Sequence, residues 1–232
     1  MIKKVFFTGL CAASLYLLAA CVKNDPPPAN NPNVSVDVVN ASSSIINFYI
    51  DGARQSIITG INPLASNGYV QTASGARTFT FKQLFNTDSF KNADTLFSLP
   101  VPLDYRKDTL STTYRYSVFL SGLARNTAFV LRDTLQADSK NAKVRFVTSS
   151  PSMPAFRVFF NDTLVYNSST FKSVKGFRPF SASIKRVDIK PVNGNNILYT
   201  TNITVLAGRS YTLFTQDEST STKFRAGLIT NQ

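Results

Sequence analysis

The chain of 232 residues contains no histidine, two cysteines at Cys11 and Cys21, and a single glutamate, Glu218, beside its aspartates. That inventory closes several chemistries. A Ser–His nucleophile needs an imidazole to take the proton, and zinc sites draw mostly on His and Cys. No Ser-x-x-Lys stands in a lactamase-like setting, and P-loop and dinucleotide fingerprints are absent. Paired carboxylates can hydrolyse glycosides. The closest groupings here are Asp104 with Asp108 and Asp217 with Glu218. Both lie in polar, turn-like stretches, where solvated carboxylates are the ordinary outcome. The spaced Asp/Asn loop of an EF-hand is missing, and Asn193–Asn196 reads as a turn. The expectation is a non-enzyme with no catalytic residue, no metal and no cofactor.

Binding is the chemistry that remains. Trp, the commonest sugar platform, is absent, so tyrosines would have to replace it. Tyr105, Arg106 and Lys107 put an aromatic ring beside two cations, a grouping suited to an anionic or polar partner. Tyr114 and Tyr116 would share one side of a strand, because the side-chain period is two, and that side reads as core. The formal net charge is +12. Its Lys and Arg are spread along the chain with no nucleic-acid motif, which reads as a solvated surface and predicts no nucleic-acid partner.

The N-terminus carries its own chemistry. Lys3 and Lys4 precede an apolar run, Val5 to Leu18, that is short for a permanent span. The run ends in Leu18-Ala19-Ala20-Cys21, which resembles a bacterial lipobox, in which the cysteine is acylated before cleavage. Residues 1–20 are then a lipoprotein signal peptide that removes Cys11, and Cys21 becomes the lipidated first residue. Acyl chains together give stable anchoring, so the membrane is a partner through the N-terminus. Val22 stands where an inner-membrane retention signal would place Asp, which predicts an outer-membrane lipoprotein of the cell envelope. Lys23-Asn24-Asp25 loosely resembles the export tag of surface lipoproteins in Bacteroidota. Residues 21–33, rich in Pro and Asn, form a stiff linker.

These features must be carried by strands. Segments rich in Val, Ile, Thr, Phe and Tyr alternate with turn signals, and no segment has a capped helical period. Ile45 to Ile58 reads as a hairpin about Asp51-Gly52. Ser74-Gly75 reads as a further turn. A second series repeats the first: Lys143 to Ser150 matches Val34 to Ala41, and Phe156 to Tyr166 matches the hairpin with Asn161-Asp162 at its tip. Lys175 to Lys190 matches the Gly68 segment, and Ala207 to Gln216 matches Thr112 to Ser121. The first series is longer in its middle, between Leu84 and Ser111, which marks an irregular insertion and a candidate binding region.

The paired motifs VVNASSSIINFYIDG and FVTSSPSMPAFRVFFND, with SNGYVQTASGARTFTF and LAGRSYTLF, resemble the domain-of-unknown-function family 4397 (DUF4397). The resemblance runs from Val34 to Thr230 and implies exported immunoglobulin-like modules, with no catalytic residue to carry over. The expected fold is all-β: two tandem immunoglobulin-like antiparallel β-sandwich domains, 34–137 and 138–232. The expected role is non-catalytic binding, adhesion or structure at the envelope, with an envelope protein as partner. The alternative is a glycan-capture lipoprotein accessory to an outer-membrane transporter.

Overall fold

A computed structural model describes residues 32–55, 60–84, 94–105, 114–135, 138–153, 155–217 and 224–231. Strands of the first repeat are β1 (Asn33–Asn40), β2 (Ile45–Ile50), β3 (Ala53–Arg54), β4 (Ala65–Ser66), β5 (Val70–Ala73), β6 (Gly75–Leu84), β7 (Asp94–Leu103), β8 (Arg115–Leu120) and β9 (Ala128–Asp133). Those of the second are β10 (Ala142–Val147), β11 (Phe156–Phe160), β12 (Thr163–Ser169), β13 (Val174–Phe180), β14 (Ser183–Pro191), β15 (Tyr199–Val205), β16 (Ser210–Asp217) and β17 (Phe224–Thr230).

Each repeat builds two sheets with the same plan. One sheet of the first repeat has β1 between β8 and the short strands β4 and β5, with β9 beyond β8; the other has the order β3-β2-β6-β7. The second repeat matches them with β13-β10-β16-β17 and β12-β11-β14-β15. The fold is all-β and sandwich-like, as expected, but each repeat contains one parallel pair. β1 runs parallel to β8, and β10 runs parallel to β16. The chain leaves each first strand, builds the opposite sheet and returns, and that long excursion permits a parallel partner.

Local chemistry explains the turns. Asp51 and Gly52 have φ of 49° and 85°, and Asn161 and Asp162 have φ of 46° and 67°. Two positive values in succession match the right-handed twist of the flanking strands. The first turn residue also accepts from the neighbouring strand in both repeats: Thr78 N–H to Asp51 Oδ1 at 2.9 Å, and Arg186 N–H to Asn161 Oδ1 at 2.9 Å.

Ser74-Gly75 carries the chain from β5 in one sheet to β6 in the other, with Gly75 at a φ of 102°. One expectation is corrected. Ten residues of the supposed insertion form β7, an ordinary strand that buries Val101 and Leu103 and corresponds to β15. Pro100 and Pro102 disguise it. They are tolerated because β7 is the edge strand of its sheet, where the missing N–H faces away from the ladder. The extra length of the first repeat falls mainly after Leu103.

Three apolar clusters follow from these sheets. One fills the first sandwich, with Val36, Val38, Phe48, Phe79, Phe81 and Val118; one fills the second, with Val144, Phe146, Phe156, Val158, Ile189 and Leu213. The third joins the repeats: Val39, Ala41 and Phe119 of the first pack with Val147, Phe214 and Ile229 of the second. β1 and β8 therefore bury one face in their own sandwich and the other against β10, β16 and β17. Their burial is nearly continuous instead of alternating, as sheets covered on both sides require. The layers run outer, inner, inner, outer, and Pro32–Gln232 form one compact unit. Phe119 and Phe214 meet edge to face at 5.8 Å across this joint, each burial contributing about 1.5–3 kcal/mol.

Candidate functional site

The joint holds a closed polar cluster within its apolar surround. Arg145 sits on β10, 3% exposed, in a position that alternation turns away from its own core. Its Nη2 lies 2.5 Å from Oδ1 of Asp133, the last residue of β9. Its Nε donates to Thr212 Oγ1 at 2.7 Å. Ser117 and Tyr69 hydroxyls donate to Asp133 Oδ2 at 2.7 and 2.6 Å. Thr212 donates to Asn231 Oδ1 at 2.5 Å, and Asn231 Nδ2 donates to the Tyr69 oxygen at 3.3 Å. Burial and the Asp133 carboxylate raise the Tyr69 phenol well above its usual value.

Asp37 on β1 completes the cluster. It has no exposure, and neither carboxylate oxygen has a hydrogen bond of good geometry. Burial pushes its pKa up to about 7; the Ser66 side chain opposes this, the Asp133 charge adds to it, and the backbone amides of Gly68 and Val38 oppose it. Further ties cross the joint. Gln216 Nε2 donates to Ser42 O, Lys172 Nζ to Asn126 O at 2.9 Å, and Arg115 Nη1 to Asn231 O at 3.3 Å. Asp37, Asp133 and Arg145 are all closed off from solvent. Their chemistry is to fix one orientation of two modules, because a misdocked pair would leave a charge unpaired in an apolar layer.

The solvent-facing chemistry lies on the outer sheet of the second repeat. Arg157 on β11 stands directly opposite Lys190 on β14. Both cations lie over the Phe159 ring, at 5.6 Å and 4.7 Å from its centroid. Arg157 Nη2 donates to Gly194 O at 2.6 Å, which fixes the guanidinium, while its buried Nε has no acceptor. The same register in the first repeat places Asn47 opposite Lys82, with Lys82 5.0 Å from the Tyr49 ring. One cation on a ring is thus common to both outer sheets, and Arg157 is the addition of the second. At one end of this sheet Phe160, Asn161, Thr163, Val165, Phe180 and Lys185 line a shallow cavity of about 260 Å³.

The predicted site residues fare as follows. Cys21, Arg106, Lys107, Asp108 and Glu218 lie outside the described residues. Tyr105 is half-buried and packs against the first core, so its ring is not a free platform. Tyr116 is core, as expected, and donates to Asp104 O at 2.8 Å; Tyr114 packs on the same core with Arg132 4.5 Å from its ring. Asp217 accepts from Ser152 N–H and Oγ at 2.8 and 2.7 Å, a turn cap. Asn193–Asn196 is the turn that receives Arg157. Among the described residues no group of three or more His, Cys, Asp or Glu could hold a metal.

Sequence reasoning missed Asp37, Asp133 and Arg145, and also Arg157 with Lys190. The available signal was a charge inside an apolar strand, as in Val36-Asp37-Val38 and Val144-Arg145-Phe146. Charge is also less evenly spread than expected. Residues 142–232 carry twelve Lys and Arg against four Asp and Glu, whereas residues 33–141 carry ten against eight.

No curated protein matches the chain. The family model described as "Domain of unknown function (DUF4397)" matches residues 34–159 and 142–232. The two matches share β10 and most of β11, and together they cover both sandwiches. The chain belongs to the DUF4397 family, whose model it matches twice in tandem.

Proposed function

We propose that the protein is a non-catalytic lipoprotein of the cell envelope, in which two fused sandwiches present a binding surface away from the membrane. The observation that carries this reading is the double-sided burial of β1, β8, β10 and β16. Modules docked through a whole sheet face form one scaffold, unlike beads on a flexible string. Acyl chains on Cys21 hold the scaffold at the outer membrane, and the Pro-rich segment 22–33 sets its reach. The partner is an envelope protein or a surface polymer.

The test compares cells carrying the full chain, cells lacking it, and cells carrying Cys21→Ala. Adhesion to a polymer-coated surface, or recovery of a reproducible cross-linked envelope partner, should fall several-fold in both altered strains. Unchanged adhesion together with an unchanged cross-link profile contradicts the reading. Glycan capture beside a transporter is the second reading, favoured by the cation-flanked Phe159 on an outer sheet.

A further inference from the structure

We propose that the outer face of the second sandwich binds an acidic polysaccharide, with Arg157 and Lys190 gripping one carboxylate or sulfate group. The inference rests on the binding reading above and supplies its ligand class.

Like charges directly opposite on neighbouring strands are destabilising, so an unrelieved Arg157–Lys190 pair needs a reason. The described ion pairs include neither residue. The acids near them are already engaged. Asp188 is 1% exposed and holds Arg186 Nε at 3.1 Å and the Thr200 hydroxyl at 2.7 Å; Asp162 pairs with Arg186. The Phe159 ring stabilises both cations from below without neutralising them. The Arg157 guanidinium is held in place by Gly194 O at 2.6 Å and Asn195 Oδ1 at 3.4 Å, neither of which neutralises its charge. An oxyanion bridging the two heads relieves the repulsion through charge-assisted hydrogen bonds.

The first repeat lacks this device, because Asn47 occupies the position of Arg157. The site is therefore a property of the second copy, which is also the strongly basic one. The surrounding surface favours a sugar polymer as the carrier. β15 lies beside β14 and presents Thr200, Asn202 and Thr204 as an exposed row on one face, spaced by the strand period. Hydroxyl and amide groups at that spacing suit sugar hydroxyls. The Phe159 ring, covered by cations, offers no stacking face for a base. Ile184, 66% exposed, and Leu206 stand at the far end of the same sheet; they give an anionic membrane the strongest competing claim.

The test measures binding of the full chain to polygalacturonate and dextran sulfate, with neutral dextran and phosphatidylglycerol vesicles as further arms. The acidic polymers should bind, neutral dextran should not, and affinity should fall with salt. Arg157→Asn, which installs the first repeat's residue, and Lys190→Gln should each weaken binding about 5–10-fold. Lys82→Gln on the other outer sheet should leave it unchanged. Because neither substitution touches a core, both variants should melt with the wild type; if Arg157→Asn does not fold, Lys190→Gln decides. Wild-type binding by the folded variants, an equal loss in Lys82→Gln, binding to vesicles alone, or binding to no probe each overturns the proposal. Failure here leaves anchoring untouched, since that is read separately from the partition of Cys21→Ala.

Discussion

Arg145 of the second repeat and Asp133 of the first form an ion pair at 2.5 Å, buried between two stacked inner sheets. They lie only twelve positions apart in sequence, yet they belong to different sandwiches. Ser117, Tyr69 and Thr212 complete the shell of hydrogen bonds around the pair. Such a pair contributes little net stability over an apolar substitute, but breaking it is costly.

Replacing Arg145 alone should therefore be severe. Arg145→Met leaves Asp133 buried and uncompensated, for an expected loss of about 3–5 kcal/mol. Arg145→Met combined with Asp133→Leu should recover most of it. Urea denaturation of the wild type, both single variants and the double variant gives the coupling directly.

Asp37 makes stability depend on pH in an unusual direction. Its pKa rises from 3.8 to about 7 in the folded protein, so the folded state holds this proton where the unfolded state has released it. Its contribution is full below about pH 4 and is lost as pH rises towards 7. Asp37→Asn removes that titration. It should be more stable than the wild type at pH 8, by on the order of 2–4 kcal/mol, with the difference shrinking at pH 4. Thermal melts across that range check the sign.

Gly227 allows a close approach at the joint. A Cβ there would lie 2.7 Å from Phe214 Cζ and 3.1 Å from the Leu64 carbonyl oxygen of the other repeat. The ring belongs to the interface cluster and the oxygen is backbone, so neither gives easily. Gly227→Ala should cost about 1–3 kcal/mol and speed amide exchange in β16 and β17 before β11 and β14.

Cys21→Ala tests the anchor. The full chain should move from the detergent-rich phase to the aqueous phase on phase separation. Unchanged partition contradicts lipidation at that residue.

Much of this architecture was legible in the sequence. Turn formers at Asp51-Gly52 and Asn161-Asp162 announced equivalent hairpins, and the recurring apolar strands announced two modules. Less visible was that the strands with continuous apolar character, such as Val36–Val39 and Val118–Leu120, bury two faces instead of one. Asp37 and Arg145 disguised this, since a charge in a strand ordinarily marks a solvent face. Their partners come from β9, β16 and the chain end, which no local pattern connects. β7 was hidden by Pro100 and Pro102, acceptable only because that strand lies on an edge. The Arg157–Lys190 pair depends on a register across the β11–β14 ladder, which follows from pairing geometry and not from composition.

The central claim is that the two sandwiches are one body, joined through the cluster around Arg145. The most direct measurement is hydrogen exchange by mass spectrometry across a urea series, followed separately in peptides from β2 and β6 and from β11 and β14. A common midpoint in the wild type, splitting into two midpoints in Arg145→Met, is the predicted result. Two separate midpoints in the wild type, or a common midpoint unaffected by Arg145→Met, would contradict it.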